Sequence, residues 1–185
     1  PDTDYSSFVG AYKPTSIEVP MLTPLGDKAI PMKDVEGNEL TENKIIYTYV
    51  KQAFLNAYIQ AWKEREKEIP QPVFLVIEEI NRANVASVFG EVFQLLDRED
   101  DGANAEFLNA SKYSISPSED VKKYLVDEFK KAGLETTVEA FSDIRIPDNM
   151  FIWASMNSAD QGVFPMDTAF KRRWEFEYFG INKSE

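Results

Sequence analysis

The sequence contains no cysteine and no histidine among its 185 residues. Without cysteine there are no disulfides, no thiolate zinc sites and no cysteine nucleophile, and nothing indicates secretion. Without histidine, the usual hydrolytic triads, most transition-metal sites and the commonest general base are also excluded. Hydrolytic chemistry in this chain therefore has to rely on carboxylates, a hard metal ion, and lysine or arginine.

The sequence is also poor in positive charge and in long apolar runs. Lys and Arg number 20 against 32 Asp and Glu, which gives a net charge of -12. A free-standing nucleic-acid-binding domain needs clustered cations, so any contact with DNA would be local. No run approaches the roughly 18 apolar residues of a membrane-spanning helix, and the first residues resemble no signal peptide. We therefore expect a cytoplasmic protein with one globular core, and a start at Pro1 instead of Met suggests a piece of a longer protein.

The clearest positive feature is an apolar run that ends in two adjacent acids, Glu78 and Glu79. Residues 73–77 are Val-Phe-Leu-Val-Ile, and such a run after Pro70 and Pro72 predicts a strand buried on both faces, as in a parallel sheet. Open α/β sheets bind their ligands at the carboxyl ends of their strands. One acid there can hold Mg²⁺, directly or through water, while the next polarises an attacking water. The alternative is that the two acids only begin a solvated loop.

A second predicted strand, over residues 150–155, repeats this design and is followed by Met156-Asn157-Ser158-Ala159-Asp160. The Asn157 amide can donate to a phosphate or a water and accept from a neighbour, as the orientation of a nucleophilic water requires. Alternatively, Asn157 and Asp160 form an Asx turn that caps the next segment. Further on, Arg172 and Arg173 are either surface residues or groups that reach a phosphate in a neighbouring subunit.

The remaining pattern predicts two turns, several helices and a third strand. Turns are expected at residues 23–28 and 34–38, and the second favours a hairpin. Helices are expected at residues 43–68, from an N-cap at Asn84 to about residue 97, at residues 119–131 and at residues 166–171. The third strand is expected at residues 174–179. The prolines and glycines spread through residues 1–40 argue against long regular elements there.

Four stretches of this sequence, taken in order, carry a family resemblance. They are Tyr5-Ser-Ser-Phe-Val-Gly-Ala-Tyr-Lys-Pro14, Phe74-Leu-Val-Ile-Glu-Glu-Ile-Asn-Arg82, Met156-Asn-Ser-Ala-Asp160 and Met166-Asp-Thr-Ala-Phe-Lys-Arg-Arg-Trp-Glu-Phe176. These stretches resemble parts of AAA+ NTPase modules of the McrB type. The first resembles the stretch after the second sheet strand and the second resembles the Walker B strand. The third resembles the sensor-1 signature and the fourth resembles the arginine-finger segment. That family supplies the motor subunits of methylation-dependent restriction systems.

The resemblance implies a role for each matching residue. Glu78 stands at the position of the acid on the Mg²⁺ side, and Glu79 at that of the water-activating glutamate. Asn157 corresponds to sensor 1 and Asp160 to its partner near the nucleotide, while Arg172 or Arg173 corresponds to the finger that acts on the nucleotide of the next subunit. The implied cofactors are Mg²⁺ and either ATP or GTP.

Three departures from the family pattern bear on these roles. Glu78 replaces the commoner Asp, which lengthens the arm by one methylene, and Gln161 replaces the usual Arg after Asp160. The sequence also contains no Gly-x-x-x-x-Gly-Lys-Ser/Thr phosphate loop. In the family that loop precedes the point at which this sequence begins, and a helical lid follows the point at which it ends. We therefore expect a gap in the sheet with an exposed edge, and an isolated segment that neither binds nucleotide tightly nor hydrolyses it.

The resemblance implies an α/β fold: a P-loop NTPase-like, three-layer α/β/α sandwich with a mostly parallel, incomplete sheet. Residues 1–185 would form a partial AAA+ core, with an insert at residues 100–147. The parent protein would be an NTP hydrolase that forms a homo-oligomeric ring, a hexamer, and drives a McrC-like nuclease, with DNA bound through other domains and no membrane. Two alternatives remain open, a non-catalytic scaffold module with the same fold and a MoxR-type chaperone ATPase; a metal-dependent nuclease built on the two acids is weaker because the chain is so acidic.

Overall fold

The computed structural model describes residues 3–100, 108–134, 142–157 and 162–180. The fold is of the predicted α/β class, with a helix packed against a small parallel sheet. The chain divides into two compact units, one made of Pro1–Gly10 with Lys51–Glu185 and the other of Ala11–Val50. In the described residues, no helix has the length and apolar content needed to cross a membrane.

The unit Ala11–Val50 consists of β-strands and turns. Its strands are β1 (Gly10–Pro20), β2 (Leu22–Leu25), β3 (Lys28–Pro31) and β4 (Thr41–Lys51). Strand β1 pairs with β4, and β2 pairs antiparallel with β3 across the two-residue turn at Gly26, whose φ of 61° suits glycine. The second predicted turn is also confirmed, because the Asp34 carboxylate accepts hydrogen bonds from the backbone N–H groups of Glu36 and Asn38.

Two expectations for this unit were wrong. Residues 10–20 form an 11-residue strand despite Pro14 and Pro20, which is tolerated because each strand of a two-stranded sheet keeps an unpaired edge. The helix predicted from residue 43 begins only at Ala53, since β4 continues to Lys51. The run Ile-Ile-Tyr-Thr-Tyr-Val at residues 45–50 is β-branched and aromatic throughout, so its strand preference outweighs an apolar spacing that also fits a helix.

The larger unit is built on two parallel strands and one helix. Strands β5 (Val73–Ile77) and β6 (Met150–Ala154) pair in register, with Val73 opposite Met150 and Ile77 opposite Ala154, and helix α2 (Ala53–Arg65) packs against both. Only one sheet face is covered. Leu75 and Met150 are buried, whereas four apolar side chains on the strands are exposed: Phe74, Val76, Phe151 and Trp153. The prediction of burial on both faces is therefore wrong for the described part of the chain.

The segment after β5 is helical, as predicted, but only its first half is α-helix. Helix α3 (Val85–Phe89) continues as the 3₁₀ helix Gly90–Leu96. The Asn84 side chain accepts hydrogen bonds from the N–H groups of Ala86 and Ser87, which confirms the predicted N-cap. The apolar residues of this segment that recur at helical spacing are all buried: Val85, Val88, Phe89, Val92 and Leu96.

A chain of aromatic rings joins the first and the last of the four signature stretches. Helix α1 (Tyr5–Phe8) places the Phe8 ring 5.7 Å from Phe54 and 4.8 Å from Phe89. The Phe89 ring lies 5.4 Å from Phe170, which is 5.5 Å from Trp174. Phe170 belongs to the short helix α5 (Thr168–Lys171), so that prediction is confirmed with a later start. Phe8, Phe54, Phe89 and Phe170 are buried in the core, and their packing holds the segment after α5 against the rest of the unit.

The region between residues 97 and 150 contains a 13-residue helix and an arginine clamp. Helix α4 (Glu119–Lys131) matches the prediction, with Ser118 as its N-cap. Described residues on either side of it pair at isolated bridges, such as that between Ile115 and Ile144. The Arg98 guanidinium donates hydrogen bonds to four carbonyl oxygens, those of Asn109 (3.1 Å), Ile146 (3.3 Å), Pro147 (3.2 Å) and Met150 (2.6 Å).

Replacing Arg98 by Met is expected to lower the free energy of unfolding by about 3 kcal/mol, because carbonyl groups at the start of β6 lose their donors. Burial lowers the pKa of Arg98 to about 10, so the side chain is still charged at neutral pH. Urea unfolding measures the change, with Lys123→Met on an exposed face of α4 as the control. Equal unfolding midpoints for the two variants would show that the hydrogen bonds of Arg98 do not stabilise the fold.

Candidate functional site

The carboxyl ends of β5 and β6 lie side by side, because the two strands run parallel and in register. This places the acids Glu78 and Glu79 next to the segment that carries Asn157. Three hydrogen bonds join the two loops: Ser155 N–H to the Ile77 carbonyl (2.9 Å), Glu79 N–H to Ser155 Oγ (3.2 Å) and Ile80 N–H to the Ser155 carbonyl (2.9 Å). Ser155 takes part in all three hydrogen bonds and so connects the two loops, a role that its place at the end of an apolar run did not indicate.

The two acids themselves face solvent. Glu79 adopts the left-handed conformation with φ and ψ both at 51°, which is uncommon for a residue other than glycine and occurs at functional sites. Its carboxylate pairs with Arg82 Nε at 3.3 Å, and both side chains are about half exposed, at 55% and 48%. Such a pair is screened by water and contributes little stability, so a ligand can displace it at small cost.

The donor set fits a magnesium ion that is shared with a phosphate better than one held by protein alone. In the described ranges, no group of three or more acidic, histidine or cysteine side chains is placed to hold a metal. Mg²⁺ is usually bound through one or two carboxylates together with waters and substrate phosphates. Exposed carboxylates at the end of β5 match that role, and Glu78 is the one for which the resemblance implies it.

The structure separates the two candidate finger residues. Arg173 is only 8% exposed; its guanidinium pairs with Asp97 (Nη2 to Oδ2, 2.7 Å), donates to the Ala169 carbonyl at 2.6 Å and lies 4.1 Å from the centre of the Phe93 ring. Arg172 is exposed and makes no ion pair with any described residue. The sequence could not distinguish the two, because the partner of Arg173 lies 76 residues away. Asp160 and Gln161 lie outside the described residues.

A groove runs along the edge of β6 that faces away from β5. Two adjoining cavities of about 920 and 350 Å³ are lined on one side by residues 151–157 and on the other by residues 173–179. A lining of consecutive residues indicates a strand edge, since successive side chains of a strand point to opposite faces. The strand predicted at residues 174–179 is wrong: residues 175–180 have no regular secondary structure, because a strand exists only when it is paired.

Comparison with known proteins supports the resemblance seen in the sequence. No family model matches the chain. The chain is 42% identical to the type II restriction enzyme BsuMI component YdiS of Bacillus subtilis (strain 168) over 185 residues, which is 99% of this chain and 47% of that protein. A stretch of 114 residues, 61% of this chain, is 28% identical to the type IV methyl-directed restriction enzyme EcoKMcrB subunit of Escherichia coli (strain K12) and covers 19% of it. The chain therefore spans about half the length of the first relative and less of the second.

Proposed function

The chain is a relative of restriction-enzyme components of the McrB-like family, and from this premise we propose that the full-length protein is an NTP-hydrolysing motor of a DNA restriction system. The observation that carries the proposal is the meeting of Glu78, Glu79 and the Asn157 segment at the carboxyl ends of two parallel strands. That is the position at which open α/β sheets bind nucleotides. The restriction role rests on the names of the two relatives.

Each residue of the site has a defined part in this proposal. Mg²⁺, when bound, neutralises charge on the nucleotide phosphates, and Glu78 would hold it. Glu79 accepts a proton from the attacking water, and the Asn157 amide orients that water. Asp160 belongs near the nucleotide. Arg172, exposed and without an ion pair among the described residues, reaches the phosphate bound by the next subunit of a ring, while Arg173 holds the segment in place.

The groove beside β6 supports an AAA+ core that is completed from elsewhere. We propose that it receives the strand that carries the phosphate loop, because the sequence contains no such loop and the groove is bounded by an edge of β6 that pairs with no described strand. Residues 1–185 are then part of the core, with residues 100–147 as an insert. The complete protein would work in the cytoplasm as a hexameric ring and drive a McrC-type nuclease, with DNA bound through other domains.

Calorimetry with ATP and GTP in the presence of Mg²⁺ tests this function, on residues 1–185 and on the full-length protein. We expect binding only by the full-length protein, with one purine preferred. No binding by either protein would contradict the motor and favour a scaffold with the same fold. Tight binding by residues 1–185 alone would contradict the proposed role of the groove.

A further inference from the structure

Asn81 lies buried at the junction of three segments of the candidate site. It is only 4% exposed, although asparagine is polar and it directly follows the acid-bearing loop. The side-chain Nδ2 of Asn81 donates to the backbone carbonyl of Asn157 at 3.0 Å. The backbone carbonyl of Asn81 accepts a hydrogen bond from Phe164 N–H at 2.8 Å. Asn81 therefore joins the loop of Glu79 to the Asn157 segment and to the chain that leads into α5.

Packing alone does not account for an asparagine at this position. Its Oδ1 atom is buried and has no hydrogen-bond partner in the described part of the chain, so the amide carries a desolvation cost that leucine would avoid. The hydrogen bond that Nδ2 donates to the Asn157 carbonyl offsets this cost. A fixed carbonyl at residue 157 fixes the backbone there, and with it the direction in which the Asn157 side chain leaves the chain.

We propose that Asn81 is a positioning residue for hydrolysis: it holds the Asn157 amide in register with the Glu79 carboxylate. This inference rests on the proposed function. Asn81 is not a catalytic residue, because its side chain is enclosed by protein and bonds to the backbone of Asn157. Its effect reaches the attacking water only through Asn157.

A double-mutant cycle in the full-length protein tests the proposal. Asn81→Leu is expected to lower kcat by about 10- to 100-fold, since displacements of about 1 Å at a reacting centre have effects of this size, with the Kd for ADP and Mg²⁺ unchanged. In an Asn157→Ala background, the same substitution should lower kcat no further. Asn84→Leu, which removes only the cap of α3, is the matched control and should have the same effect in both backgrounds.

Hydrogen exchange supplies a readout that does not need turnover. Asn81→Leu and the isosteric Asn81→Asp, which loses the Nδ2 donor, should both speed exchange in residues 155–157 and leave α4 unchanged. Unchanged exchange in these residues, or equal losses of kcat with and without the Asn157 amide, would overturn the positioning role. If the wild-type protein hydrolyses neither ATP nor GTP, the proposed function fails, and exchange alone then decides whether Asn81 holds this segment.

Discussion

Replacing Glu79 by Gln in the full-length protein is expected to lower kcat for NTP hydrolysis by about 10²- to 10⁴-fold, because the site loses its proton acceptor. Nucleotide affinity should change by less than about twofold, since the residue acts on water and not on the nucleotide. Stability should hardly change, because the exposed Glu79–Arg82 pair contributes little. Steady-state phosphate release and calorimetry on the same preparation measure the two quantities.

Glu68→Gln is the matched control for this experiment. Glu68 is an exposed glutamate in the charged stretch after α2 and lies outside the candidate site, so its substitution removes the same charge without touching the chemistry. We expect wild-type turnover from this variant. Wild-type turnover from Glu79→Gln as well would show that the acid pair only begins a solvated loop.

Substituting the two adjacent arginines should have opposite kinds of effect. Arg172→Ala is expected to lower kcat by about 10³-fold or more, the size found for fingers that act in trans, with the unfolding midpoint unchanged. Arg173→Ala is expected to lower the free energy of unfolding by about 3 kcal/mol, because it leaves the half-buried Asp97 without its partner. Phosphate release and urea unfolding of both variants separate the two roles.

Mixing inactive subunits tests whether Arg172 acts across a subunit interface. Glu79→Gln subunits have an intact finger, and Arg172→Ala subunits have an intact acid pair. In a mixed ring, some interfaces bring the two intact groups together, so part of the turnover should return. No recovery would mean that Arg172 acts within its own subunit, and a stable, active Arg172→Ala variant would remove it from the mechanism altogether.

Local signals were enough to predict the elements nearest the site. The apolar run at residues 73–77 and that at 150–154 are strands, and α4 lies where its N-cap, acids and lysines placed it. The chain between these strands is long enough for the crossover that their parallel pairing requires. The gathering of Glu78, Glu79 and Asn157 could therefore be anticipated before any coordinates.

The features that could not be predicted from the sequence depend on contacts with residues far along the chain. The apolar spacing of residues 45–50 fits a helix or a strand. Their pairing with residues 10–20 stabilises the strand. Residues 174–179 alternate like a strand but remain irregular, because no described strand pairs with them. The burial of Arg173 and of Asn81 is set by Asp97 and by the Asn157 backbone, and neither contact has a signature in the local sequence.

The aromatic chain from Phe8 to Trp174 connects helix α1 to helix α5, whose C-cap is Arg172. Because close-packed protein interiors transmit strain, we expect a displacement of α1 to shift the backbone that carries Arg172. If Arg172 reaches the nucleotide of a neighbouring subunit as proposed, a partner that contacts residues 5–8 would change that reach. The stretch at the start of this sequence would then influence hydrolysis without touching the nucleotide.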